Sequence, residues 1–213
     1  MLIIRHNKIK TLLAVLFLTT LLWSPAFSGE IVEYTLSPLN SKIGFRLKAT
    51  LHVVHGNATV FKGKVLIPQN RNPDELYAEI SIPVKDIKTG NEKRDKKMQN
   101  FCFEMEKYPE IRFKSTGFKD LPAMPQKGVD FEFTILGDLT IKDVTRSIAM
   151  PVKVISIEDS FRATGTVTLN YLKDFNIKDP SWFIVRVAKK VEVFVEVDIP
   201  YNFIEKALHL KLS

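Results

Sequence analysis

From Ile31 onward the chain places apolar side chains two residues apart, a period that fits strands with one buried face and few other structures. In "SKIGFRLKA", Ile43, Phe45, Leu47 and Ala49 share one face, with Lys42, Arg46 and Lys48 on the other. Leu76, Ala78, Ile80, Ile82 and Val84 repeat the pattern, as do Val129, Phe131, Phe133, Ile135, Gly137, Leu139 and Ile141. "RSIAMPVKV" and "SFRATGTVTLN" continue it, and Val191, Val193, Val195, Val197 and Ile199 close it. Further strands are expected at 31–37, 58–67 and 111–118. Roughly eight or nine strands separated by turn residues describe an all-β antiparallel sandwich or barrel. Several strands run past eight residues, long for a small sandwich. Closure also removes exposed strand edges. The expectation is therefore an antiparallel eight-stranded barrel. A barrel spanning an outer membrane would turn its apolar face to lipid. Here Lys and Glu crowd the polar face, which suits water outside and an apolar interior.

The alternation stops in "DIKTGNEKRDKKMQNF", from Asp86 to Phe101, where Lys88, Lys93, Arg94, Lys96 and Lys97 crowd together. Thr89 and Glu92 have the spacing of a capping box, and Glu92 and Asp95 suit the first turns of a helix. Met98, Phe101, Cys102 and Met105 then form a narrow apolar stripe at helical spacing. Pro109 disfavours helix at Tyr108. A helical segment between strands is expected to cover the open end of the barrel. It would place Lys85, Lys88, Lys93, Arg94, Lys96 and Lys97 at the rim, its N-terminus favouring an anion. A solvated helix face with no ligand is the plain alternative.

Ahead of the strands, Met1–Lys10 carries Arg5, Lys8 and Lys10 with no acid. An uncharged run "TLLAVLFLTTLLW" and then "SPAFSGE" follow it. This is the pattern of a secretory signal peptide over residues 1–28, cleaved after Ser28. The competing reading, an uncleaved anchor, needs about 20 apolar residues. Export to the periplasm is the expectation. Residues 29–202 would form the barrel domain, and 203–213 a C-terminal tail. The formal net charge of +7 includes three charges of the leader, so the mature chain is mildly basic. That suits an anionic headgroup or transient contact with a membrane surface, and it does not call for nucleic acid. With Cys102 alone, no intramolecular disulfide is available and the fold rests on its core. A monomer or a homodimer is expected.

Several stretches, in order, carry a resemblance: "SKIGFRLK", "SIPVKDIKT" followed by "GNEKRD", "NFCFEMEKYPEIRFKST", "GDLTIKDVTRSIAMPV" and "DFNI". Together they resemble the YceI family of exported, lipocalin-like proteins, over about Tyr34 to Ile199. Thr89, Gly90, Asn91, Arg94 and Asp95 match the family's helix-start motif, while Lys85 and Cys102 depart from the residues usual there. The resemblance implies a lipocalin-like barrel with an elongated apolar pocket. It also implies a long isoprenoid lipid as ligand, either a polyprenyl chain or an isoprenoid quinone. Phe45, Ile80, Ile82, Phe113, Phe131, Phe133 and Ile135 are the expected lining, with Thr89, Asn91 and Arg94 near the polar end. The alternative is that these side chains simply fill the interior.

Catalytic and metal signals are weak. His52 and His55 stand three apart, so on a strand they point to opposite faces. No nucleophile elbow, phosphate loop or dinucleotide fingerprint occurs, so no cofactor is expected. Asp86, Arg94 and Asp95 support one enzymatic alternative, chemistry on a prenyl-lipid headgroup at the rim. Capping and an Arg94 ion pair explain the same residues. In the tail, Phe203, Ile204, Ala207, Leu208 and Leu212 give a partial helical stripe suited to docking on the barrel or a membrane. A frayed terminus is the other reading.

Overall fold

The computed structural model describes residues 31–70, 72–181 and 186–208. The leader expected at 1–28 and the end of the tail from 209 lie outside the described residues. The strands are β1 (Ile31–Leu36), β2 (Ser41–Ala49), β3 (Val53–Ala58), β4 (Lys62–Pro68), β5 (Tyr77–Pro83) and β6 (Ile87–Lys88), then β7 (Glu110–Lys119), β8 (Phe131–Ile141), β9 (Val144–Ile157), β10 (Ser160–Asn170) and β11 (Val187–Pro200). Three short helices are described: α1 (Glu92–Lys97), α2 (Tyr171–Phe175) and α3 (Tyr201–Ala207).

All the strand pairs are antiparallel, in one sheet of order β1-β4-β5-β7-β8-β9-β10-β11-β2-β3-β6. The expected count of eight is corrected to eleven among the described residues. Against the nine stretches named above, the additional strands are β3 and the two-residue β6, which pair through only short registers. Nor does the hydrogen-bonded ladder close: β1 and β6 are its end strands. Side chains bring the ends together instead. Leu36, Ile43 and Phe61 are buried as one cluster with Tyr34, Val65, Ile80 and Val197, joining β1, β4 and β5 to β2 and β11. The Tyr34 hydroxyl donates to the Asp198 carbonyl at 2.6 Å, from β1 across to β11. Thr59, in the turn from β3 to β4, donates through both its backbone N–H and its hydroxyl to the Asp86 carbonyl, at 2.9 Å each.

The two faces of the rolled sheet differ as the alternation requires. Outside, Lys42 meets Glu196 at 3.4 Å and Arg162 meets Asp198 at 2.7 Å, while Arg46 pairs with Glu192. These exposed pairs each contribute little, on the order of 0–1 kcal/mol. Inside, the core divides toward the two ends of the roll. One cluster joins Cys102, Leu139, Ile141 and Leu169 to Tyr171 and Phe175 of α2 and to Ile177. The other joins Val152, Val154 and Phe161 to Ile204 and Leu208 of α3 and its C-terminus. Burying a side chain such as Phe161 or Phe175 stabilises the fold by roughly 1.5–3 kcal/mol.

Candidate functional site

Bordered by the first of these clusters, the roll encloses a cavity of about 580 Å³. Its walls come from β2, β3, β4, β5, β7, β8, β9, β10 and β11, and they are almost wholly apolar. The size falls inside the range of about 300–1,000 Å³ usual for ligand pockets.

Two glycines help to keep the interior open. An added Cβ at Gly56 would stand 2.1 Å from the Phe45 ring, and one at Gly137 would stand 2.4 Å from the Phe113 ring. Each aromatic ring therefore lies against the bare backbone of a neighbouring strand, tucked toward the wall. Aromatic side chains that would otherwise project inward become lining.

Of the expected lining residues, Phe45, Ile80, Ile82, Phe113 and Ile135 border the cavity. Phe131 and Phe133 do not border it. They share a strand face with Ile135 but sit at the end of β8 that α3 fills. There Phe131 stacks on Phe133 with ring centroids 6.2 Å apart and meets Phe161 edge-on. Along β9 the cavity reaches Met150, whereas Val152 and Val154 belong to that packed end.

The opposite end is the mouth. His52, Thr89, Lys93, Arg94, Lys97 and Pro180 border the cavity there. Lys85, Lys88 and Lys96 are exposed and do not border it. The helix start also differs from the expected capping box. The N-cap is Asn91, whose Oδ1 accepts the Arg94 N–H at 3.0 Å, and Asn91 itself lies outside the cavity wall. Gly90, at φ +79°, turns the chain between Thr89 and the helix. Thr89 is freed for a different task. Its N–H donates to Asp95 Oδ1 at 2.9 Å and its hydroxyl donates to the same oxygen. Arg94 donates from Nε to Thr89 Oγ1 and from Nη2 to the Thr89 carbonyl, at 2.8 Å each. Among the described residues no carboxylate pairs directly with Arg94, so the expected Arg94 ion pair is replaced by this Thr89 bridge. Asp95 is buried, and neither it nor Asp86 borders the cavity. The helix N-terminus is thus occupied by its own side chains, and the cationic character of the mouth comes from Lys93, Arg94 and Lys97.

After Lys97 the helix widens into a π turn, Met98–Cys102, in which the Phe103 N–H reaches the Met98 carbonyl at 3.0 Å. Buried Gln99 anchors it, donating from Nε2 to the carbonyls of Lys85 at 3.0 Å and Ile87 at 3.2 Å. The wider turn alters the expected stripe. Met98, Cys102 and Phe103 border the cavity, while Phe101 turns outward with its ring beneath the Lys178 ammonium. Widened turns of this kind recur at functional sites.

Cys102 is 4% exposed, and burial pushes its thiol up to about 11. Tyr171, the first residue of α2, is 6% exposed and also borders the cavity. Its hydroxyl has no hydrogen-bond partner among the described residues. Burial, and next the nearby Asp179 carboxylate, hold its phenol up at about 12. The sequence reading missed Tyr171. Five residues of helix are too few for a period, although the face expected on β11 does supply Val191 and Val193 to the wall. Among the described residues no three His, Cys, Asp or Glu side chains stand close enough to hold a metal ion. No described helix is long and apolar enough to cross a membrane.

Comparison with known proteins places this arrangement. A model of the YceI-like domain matches residues 34–199. A UPF0312 protein of Pectobacterium carotovorum is 27% identical over 201 residues, covering 89% of this chain and 96% of that protein. Protein YceI of Escherichia coli O157:H7 is 32% identical over 117 residues, covering 51% of this chain and 56% of that protein. Among solved structures, a polyisoprenoid binding domain from Saccharophagus degradans superposes with a TM-score of 0.62 at 16% identity, covering 80% of this chain and 99% of that one. BcnA of Burkholderia cenocepacia superposes with a TM-score of 0.60 at 20% identity, covering 74% of this chain and 95% of that one.

Proposed function

The chain belongs to the YceI-like domain family, and from that premise we propose that the exported protein binds the chain of a long isoprenoid lipid inside the rolled sheet, in the periplasm. The observation that carries this reading is the cavity itself: about 580 Å³ and almost wholly apolar, with Lys93, Arg94 and Lys97 bordering one end. A prenyl chain gains about 0.8 kcal/mol for each methylene-sized unit removed from water. A lipid with its chain inside and its polar end beneath Lys93, Arg94 and Lys97 satisfies both parts of the site. The structural neighbour described as a polyisoprenoid binding domain supports the same ligand class.

Binding is favoured over turnover of the headgroup. The enzymatic reading needs Asp86 and Asp95 at the mouth, yet neither borders the cavity, and Asp95 is engaged by Thr89. Carriage, storage and sensing of the lipid all rest on the same binding step. The cationic mouth also suits transient contact with an anionic membrane surface, where such a lipid would be taken up or released.

The test is extraction of the protein purified from the periplasm, with the bound lipid identified by mass spectrometry. A prenyl lipid at close to one per chain is expected. Recovery of no lipid, together with no uptake of an added prenyl probe, would refute the proposal.

A further inference from the structure

Buried polar atoms are nearly always hydrogen-bonded, so a buried one without a partner calls for an explanation. Tyr171 Oη is such an atom among the described residues, and its side chain stands in the wall of the cavity. Its position is firmly held. Asn170 caps α2 by accepting the Lys173 N–H at 3.1 Å, and its own N–H donates to Asp174 Oδ2 at 2.8 Å. At the other end Asn176 adopts the left-handed conformation, and the Ile177 N–H returns to the Tyr171 carbonyl at 3.2 Å. The phenol is thus fixed among Cys102, Leu169, Phe175 and Ile177, at the same end of the roll as the mouth.

We propose that the Tyr171 hydroxyl donates a hydrogen bond to a neutral acceptor oxygen on the bound lipid, of the kind a quinone ring carbonyl presents. This rests on the lipid-binding reading above and narrows its ligand class. Three features select a neutral acceptor over a diphosphate at this depth. The side chains packed around it, Cys102, Leu169, Phe175 and Ile177, are apolar, so a multiply charged group would lose its hydration at this depth, the nearest cations, Lys97, Lys142 and Lys178, acting on the neighbouring Cys102. The Asp179 carboxylate already acts on this phenol electrostatically, and its negative charge opposes a second anion. The phenol also stays protonated across the physiological range, so it is a constant donor.

Tyr171→Phe removes the hydroxyl and leaves the ring in place. Two probes separate the possibilities: a quinone with a short prenyl chain, and squalene, an isoprenoid hydrocarbon with no acceptor. The variant should bind the quinone about five- to tenfold more weakly, the range of one hydrogen bond, and hold squalene undiminished. Infrared spectra of the bound quinone should show a carbonyl stretch lowered by the wild-type protein and restored in the variant. The ligand-free variant should be at least as heat-stable as the wild type, since an unsatisfied buried hydroxyl has been removed. Equal effects on both probes, no effect on either, or a carbonyl band indifferent to the substitution would overturn the role of Tyr171 while leaving the lipid cavity standing. A wild-type protein that takes up neither probe would overturn the cavity reading, and this proposal with it.

Discussion

Cys102 offers a direct view of whether the cavity is occupied, because its thiol is part of the wall and lies near the mouth. Burial holds it protonated well above neutrality, so alkylation by iodoacetamide at pH 8 should be slow. Saturation with a prenyl lipid should slow it further. Alkylation rates that ignore added lipid would mean the chain does not reach this wall. The same group makes a pH prediction. Its folded value, about 11, lies above the usual value of 9.0, so between them the folded state holds a proton that the unfolded state has lost. The stabilisation is complete below pH 9 and declines as pH rises toward 11, by at most about 1.4 kcal/mol per unit. Urea titrations of wild type and Cys102→Ala across that range should show the steeper decline in the wild type. At this scale the sequence was informative about type and silent about exposure to a void. Cys102 falls in the apolar stripe expected after the helix start, and the structure buries it. Whether such a residue faces packed neighbours or an open cavity depends on side chains from β8, β10 and α2, distant in sequence.

Between residue and fold, the elements divide by length. Strands of nine or more residues, such as β2, β8, β10 and β11, declare themselves because a period of two repeats several times. The segment after Thr89 was recognisable as helix, but its details were not. A capping box and an Asn91 N-cap draw on the same few polar residues, and Gly90 decides between them by turning the chain. The π turn leaves no periodic trace, because it is a single turn anchored from elsewhere by Gln99. α3 shows the converse case. Its partial stripe left docking and fraying open, and the structure buries Ala207 and packs Ile204 and Leu208 against Val152, Val154 and Phe161. Tyr201 extends this contact, its ring 5.6 Å from that of Phe161. The helix therefore acts as the floor of the roll. Ile204→Ala should destabilise the protein by about 2–5 kcal/mol, the usual result of removing a buried branched side chain. Chemical denaturation with an unchanged midpoint would show that α3 does not close this end.

For the whole molecule, the question is where along a rolled sheet the interior is full and where it is open. The alternating pattern assigns each strand an inward face, and Phe131, Phe133 and Ile135 share one. It carries no coordinate along the axis of the roll, so it could not separate a plug from a lining. That distinction arises from α3, which follows the last long strand and folds back under one end, and from Gly56 and Gly137, which let rings lie flat farther along. A pair of substitutions two residues apart on β8 tests this division. Ile135 packs against the α3 end and also borders the cavity, so in Ile135→Trp the larger ring can extend into the open volume; stability should fall less than in the second variant, while a long prenyl lipid should bind at least tenfold more weakly for want of space. In Phe133→Trp the ring enters packing already occupied by Phe131, Phe118 and α3, so overpacking should cost about 1–3 kcal/mol, with lipid affinity nearly unchanged. Thermal unfolding and lipid titration on both variants read the two quantities separately. If Phe133→Trp weakened binding as much as Ile135→Trp, the lipid would extend past Ile135 and displace the α3 end. The floor of the roll would then be a movable gate, and the bound chain longer than the cavity accommodates.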